Sequence, residues 1–329
     1  MLRTKQVLRY DILLNIVKFV PNYFSMILKN LITNAAKEVG FDIVGVVPAM
    51  PLEQELGRFG EWLLEGHHST LSYLERNVEK RFDASKLVEG ARSVVVCGVA
   101  YLSEYSRGYP EGWQTKIASY ALNRDYHLTI KEMLVALAER LREHSPSLRF
   151  RAFTDSAPLA EKSYARRAGL GWIGRNSLLV TQEYGSMLLL GELVIDEEVD
   201  EYDGPKEYVG CGECRRCIEA CPNGAISDRR YIDTRRCISC RTIEPMAEGD
   251  RIELDGWIFG CDACQSVCPY NQRAKLHTNS NFDPIVNPLS LDSDAWLAMT
   301  DEEFAALAIS TPMTRAGLER IKSNVKSEN

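Results

Sequence analysis

The sequence predicts an α/β N-terminal domain, a compact cysteine-rich α+β domain and a short helical C-terminal tail. Three observations carry this reading. Strand-like and helix-like segments alternate from residue 27 to about residue 200. An acidic stretch over 196–203 then runs into Gly204-Pro205, a boundary signal. Nine of the ten cysteines follow between Cys211 and Cys268. The 329 residues agree with about two domains. The expected divisions are 1–26 as an N-terminal extension, 27–203 as the α/β domain, 204–271 as the cysteine-rich domain and 272–329 as the tail.

Residues 7–28 are apolar but carry Arg9, Asp11, Asn15, Lys18 and Pro21. A membrane span needs about 20 apolar residues in a row, and no small-residue cleavage site follows. An amphipathic helix is expected there instead, with Met26 as an alternative start. Residues 27–39 read as a helix stopped by Gly40, 41–47 as a strand and 56–66 as a second helix. SVVVCGVA over 93–100 is a continuous apolar run, expected as a buried strand of parallel type. Residues 128–144 carry apolar residues at helical spacing and end at Ser145-Pro146. Strands are expected at 150–153, 178–180 and 187–195, a helix at 159–168 before Gly169, and a tail helix at 301–307.

Hydrophobic residues make up 45% and charged residues 26%, ordinary values for a soluble globular chain. A formal net charge of −7 gives no global electrostatic attraction to nucleic acid. Cys-x-x-Cys spacing crowded into one part of a large chain argues for metal or clusters in a reducing compartment, not a secreted disulfide scaffold. No GxGxxG follows a strand and no GxxxxGK[ST] occurs, so a dinucleotide fold and a P-loop are unsupported. Asp125-Tyr126-His127 comes near the DxHxxG motif of histidine-ligated cobalamin, but Ile130 stands where its glycine belongs.

The cysteines are the strongest signal. Cys211-x2-Cys214-x2-Cys217-x3-Cys221-Pro222 is the ferredoxin pattern for cubane clusters. Three thiolates on a tight loop grip one [4Fe–4S] cube, while the fourth, opening a helix, reaches a second. Cys261-x2-Cys264-x3-Cys268-Pro269 repeats the spacing of the last three of these cysteines. Pairing the halves by pseudo-symmetry gives a two-cluster ferredoxin-like domain. Cluster one takes Cys211, Cys214, Cys217 and Cys268. Cluster two takes Cys221, Cys261, Cys264 and one of Cys237 and Cys240. Zinc also accepts four cysteines, but its ribbons do not need the x2-x2-x3-Cys-Pro run. Cys97, alone in a strand, reads as core. Asp155, in Asp-Ser-Ala-Pro before a helix, reads by itself as an N-cap.

EKRFD (79–83), NRDYH (123–127), FTDSAPLAEK (153–162), RAGLGWIGRNSLL (167–179) and the cysteine runs, including RRCISCRTIE (235–244), together span most of 27–271. In these stretches the chain resembles the tRNA epoxyqueuosine reductases, which use base-off cobalamin and two [4Fe–4S] clusters. The resemblance implies an α/β cobalamin-binding domain. It also implies reduction of the epoxide of epoxyqueuosine, at the wobble position of a tRNA anticodon, to queuosine. By that likeness Asp155 is the proton donor. A carboxyl beside an apolar corrin face is expected to have a raised pKa. The family motif makes Cys237 the cluster ligand and puts Cys240 where a tyrosine is usual.

Cobalamin contacts are expected from Arg81 (or it is a solvated surface arginine), His127 (or it only starts a helix), Asp155, Asn176, Ser177, Ser239 and Asp262. The expected partners are tRNA and an external electron donor, a reductase, flavodoxin or ferredoxin. The chain is expected as a cytoplasmic monomer with no membrane contact. Seven arginines against four acidic residues over 211–241 give a local net charge of +3, a candidate phosphate-contacting patch to which Lys162, Arg166, Arg167 and Arg175 add. Relatives often carry a longer helical-repeat extension than the residues after 271, so a reduced tRNA platform is expected. Two other readings stay open. One is a dehalogenase-like corrinoid reductase of a small molecule, although no twin-arginine leader is present. The other is a non-catalytic electron carrier, which needs no Asp155.

Overall fold

The computed structural model describes residues 26–245 and 252–327. The helix expected over 7–28 lies largely outside these residues. The strands are β1 (Ile43–Pro48), β2 (Ser93–Ala100), β3 (Lys116–Ile117), β4 (Phe150–Phe153), β5 (Trp172–Ile173), β6 (Leu179–Val180), β7 (Leu188–Ile195) and β8 (Trp257–Phe259). The principal sheet has the order β1-β2-β7-β4, and every neighbouring pair in it is antiparallel.

This corrects the parallel pairing expected for 93–100. A continuous apolar run reports burial on both faces, and helices on both faces bury an antiparallel sheet equally well. All eight residues of β2 are buried. On one face Val95, Cys97, Val99 and Leu193 pack with helices α1 (Lys29–Val39) and, later in the chain, Tyr126–Arg142. On the other face Val94, Val96, Leu190 and Val194 pack with Tyr164 and Ala165 of Glu161–Arg167. The alternation follows the two-residue period of a strand. Each such fully buried side chain contributes roughly 1.5–3 kcal/mol of transfer free energy. Glu53–Leu64 is α2, Tyr126–Arg142 is α3 and Glu161–Arg167 is α4. At Gly191 of β7 an added Cβ would stand 2.4 Å from Ile130 of α3, so glycine sets how closely that helix approaches.

The acidic boundary is a clamp. Ile27 bridges Val199, the Lys29 amide donates to Asp200 (2.7 Å) and the Val46 amide donates to Asp203 (2.9 Å). The tail also does more than its weak helical signal suggested. Trp296, Phe304, Met313, Ile321 and Val325 form a further core with Ile117, Leu122, Ile258 and Phe259. Asn324 of the last helix donates to the carbonyls of Thr242 (3.0 Å) and Ile258 (2.9 Å). The tail thereby braces the short helix Ile238–Ile243 that follows Cys237. No helix among the described residues is long and apolar enough to cross a membrane.

Candidate active site

The nine clustered cysteines are all free and fall into two groups. Cys211, Cys214, Cys217 and Cys268 line one small hollow of about 40 Å³, with Arg175, Asn176 and Tyr270 beside them. Cys221, Cys237, Cys261 and Cys264 line a separate cavity of about 750 Å³. Among the described residues no three His, Cys, Asp or Glu side chains converge closely enough to hold a single ion. The four sulfurs of each set line a hollow. Burial pushes the Cys217 thiol up, and Cys211, Cys268 and Cys214 push it further. Burial does the same to Cys264, reinforced by Cys261 and Cys237. Thiols crowded in this way need a bound cation to ionise, so each set suits an iron–sulfur cluster. Cys240 does not line either space; burial pushes its thiol up to about 12, which leaves it unreactive at neutral pH.

RAGLGWIGRNSLL folds as the end of α4 followed by the β5–β6 hairpin. Its loop, Arg175-Asn176-Ser177, closes with Ser177 at φ 60°, and the Gly174 amide donates to the Leu178 carbonyl at 2.8 Å. Gly171 is required because an added Cβ would lie 2.2 Å from the Val180 carbonyl oxygen. The hairpin holds the cysteine loops by their backbone. Arg175 donates to the Gly212 carbonyl at 2.9 Å, the Ser177 hydroxyl donates to the Arg230 carbonyl, and Lys162 Nζ donates to the Ser177 carbonyl at 2.8 Å. Asn176 borders both the hollow and the large cavity.

Asp155, Arg81, Asn176, Ser177, Ser239 and Asp262 all border the large cavity. His127 is not among its lining residues; it reaches the site only through Asp155. Arg81 is half-buried and borders the large cavity, its guanidinium lies over the Phe59 ring, and its buried Nε has no hydrogen-bond partner among the described residues. The Asp262 carboxylate is engaged, accepting from the Ser119 amide (2.7 Å) and hydroxyl (2.8 Å). Burial raises its pKa, and those two donors work against the rise.

Asp155 sits in the turn before α4, at φ 49°, where a non-glycine backbone is held at a cost of roughly 1–3 kcal/mol. It is not an N-cap, because Ala160 occupies that position. Its side chain is 57% exposed and so open to a substrate. Tyr126 Oη donates to Asp155 Oδ2 at 2.7 Å, and His127 Nε2 stands 3.5 Å from the same oxygen. The other side of the imidazole meets Asp125 Oδ1 at 2.7 Å, and the ring stacks on Tyr126. Asp125 is a real N-cap, of α3, which fixes where Tyr126 and His127 begin.

The electrostatics reverse the expectation for Asp155. His127 foremost, with Tyr126, holds its carboxyl below the usual range. Asp125 and then Asp155 push the His127 imidazole up to about 9. At neutral pH the available proton therefore resides on His127, not on Asp155. The sequence reading missed Tyr126 as a partner. It also gave no role to Glu161 or to Glu192, although Glu192 is the lone charge in the apolar strand LLLGELVI.

This site belongs to an iron–sulfur oxidoreductase. Residues 210–271 match the family model of the 4Fe-4S double cluster binding domain, and residues 81–156 match that of epoxyqueuosine reductase QueG, DUF1730. The chain is 37% identical over 298 residues to epoxyqueuosine reductase of Cyclobacterium marinum, covering 90% of this chain and 94% of that protein. It is 37% identical to that of Cellulophaga algicola, covering 90% and 96%. Its fold is similar to a solved epoxyqueuosine reductase from Streptococcus thermophilus (TM-score 0.79, 27% identity, 91% of this chain and 80% of that one). It is also similar to an epoxyqueuosine reductase solved with an epoxyqueuosine-modified tRNA-Tyr stem loop (TM-score 0.80, 26% identity, the same coverage). The chain belongs to the epoxyqueuosine reductase family.

Proposed function

We propose that this chain reduces epoxyqueuosine in tRNA to queuosine, with Asp155 at the substrate. The observation that carries this reading is one cavity bordered both by Cys221, Cys237, Cys261 and Cys264 and by Asp155. Cys211, Cys214, Cys217 and Cys268 would hold one [4Fe–4S] cluster and the other four the second. Arg81, Asn176, Ser177, Ser239 and Asp262 would border a base-off cobalamin, with the unpartnered Arg81 Nε suited to an amide or phosphate oxygen. When bound, these groups supply the electrons, drawn from an external donor.

Turning an epoxide into an alkene takes up two electrons and two protons, breaks both C–O bonds and releases water. This chain's contribution is proton delivery. His127 holds a proton up to about pH 9 and lies against Asp155, whose open carboxylate can pass it to the departing oxygen. Tyr126 keeps Asp155 aimed. Three of the seven arginines over 211–241 are ion-paired: Arg215 with Asp228, Arg229 with Glu61 and Glu65, and Arg235 with Asp233. For these three, a part in tRNA binding means exchanging acidic side chains for phosphates.

The test is an absorbance spectrum and iron count on anaerobically purified protein supplied with cobalamin. About eight irons per chain and a base-off corrinoid band are expected. Zinc in place of iron, or no corrinoid uptake, contradicts the reading.

A further inference from the structure

Glu192 is the one charged residue of β7, fully buried on the face of the sheet that α4 covers. Neither of its carboxyl oxygens has a donor among the described residues. The side chain it reaches is Glu161, the first residue of α4. Two neighbouring carboxylates have no hydrogen atom to share, and like charges repel strongly when one of them is fully buried, so the pairing requires a proton. Glu161 in turn borders the cavity, and its Oε1 accepts the backbone N–H of Asp155 at 2.5 Å. The neighbouring groups do not supply the missing donor. Lys162 donates to the Ser177 carbonyl and the Tyr164 hydroxyl lies at the Ala84 amide; neither makes a hydrogen bond to Glu192, Cys97 packs on the opposite face of the sheet, and Asp155 adds negative charge.

We propose that Glu161 and Glu192 share one proton and that this carboxyl pair positions Asp155, with Glu161 holding the Asp155 amide and Glu192 holding Glu161. The role is positioning and rests on the proposed reaction above. An acceptor fixed behind the Asp155 amide offsets the cost of its left-handed backbone and keeps its carboxylate beside Tyr126 and His127. Burial fits the proton: it raises Glu161 to about 7, with Asp155 adding to the effect, and it raises Glu192 as well, with Glu161 adding to the effect. Removing Glu192 takes away the sheet residue that Glu161 meets, so Glu161 and Asp155 loosen together.

The test compares E192Q, E192L and E161L in the full chain. In the substrate-free protein, infrared difference spectroscopy at neutral pH is expected to show the C=O stretch of a protonated carboxylic acid, lost in E192Q. Exchange of the Asp155 amide is expected to rise at least about tenfold in E192L and E161L, as loss of a hydrogen bond to a charged group implies, and to stay near the wild-type rate in E192Q, whose amide still donates to Glu161. Leucine fills the buried site without a polar group, so E192L keeps its thermal stability. In the loaded enzyme, E192L is expected to lose about tenfold or more in kcat with KM little changed, and E192Q to restore it. No carboxylic acid band, or unchanged amide exchange and kcat in E192L, overturns the proposal. A wild-type protein that shows the band and the protected amide but never converts epoxyqueuosine leaves the pair standing and removes the proposed reaction.

Discussion

His127 Nε2 lies 3.5 Å from Asp155 Oδ2. Because Asp125 holds the opposite ring nitrogen at 2.7 Å, the imidazole is fixed between two carboxylates and keeps its proton. Asp155 is thereby an ionised group with a charged donor at its side, in place of a neutral acid beside an apolar wall.

The pH dependence follows from the two shifts. His127 is raised from 6.5 to about 9, so its contribution to stability is complete below about 6.5 and is lost as pH rises through about 9. Asp155 is lowered from 3.8, so its contribution is present above that value and is lost as pH falls below it. Turnover is expected to hold across neutral pH and to fall as pH passes about 9. H127Q removes that alkaline limb and lowers kcat by about 10²-fold. A pH–rate profile checks both outcomes.

Asp155→Asn keeps the size of the side chain and removes its charge. A loss of about 10²–10⁴-fold in kcat is expected, with the iron–sulfur absorbance unchanged, since Asp155 contacts no cysteine. Single-turnover assays beside visible spectra separate the two effects.

The two cysteine sets make a counting prediction. Cys268→Ala removes a lining residue of the small hollow and is expected to lose about half the iron, whereas Cys240→Ala, which borders neither space, keeps about eight irons per chain. Iron analysis of anaerobically purified variants decides it.

Gly171→Ala places a methyl group 2.2 Å from the Val180 carbonyl oxygen. The hairpin must shift, at a cost of at least about 1 kcal/mol, and Arg175 loses its hold on the Gly212 carbonyl. A lower melting temperature and poorer iron retention are expected together.

Much of this was legible in the sequence because the signals are local. The limits of β2 and β4 and the stop at Gly40 follow from apolar runs and one left-handed glycine. Helix α4 begins two residues later than expected, since Asp-Ser-Ala-Pro forms a turn of its own around Asp155. Strand direction was not legible, because a run buried on both faces carries no mark of its neighbours' polarity. The His127–Asp155 pair was hidden for a different reason. Those residues meet only when α3 and the turn before α4 reach the same edge of the cavity, and a pKa depends on that meeting. Glu192 stood out as a lone charge in its strand, but only packing against Glu161 gives it meaning. The tail's helices looked weak because their apolar partners, Ile117 and Phe259, lie elsewhere in the chain.

The most direct measurement is single-turnover conversion of an epoxyqueuosine-containing tRNA stem loop by the anaerobic protein, loaded with iron, sulfide and cobalamin and supplied with a chemical reductant. Queuosine is expected from the wild-type chain and not from Asp155→Asn. A fully loaded wild-type protein that leaves the epoxide intact, or an Asp155→Asn variant that converts it at the wild-type rate, would contradict the assignment.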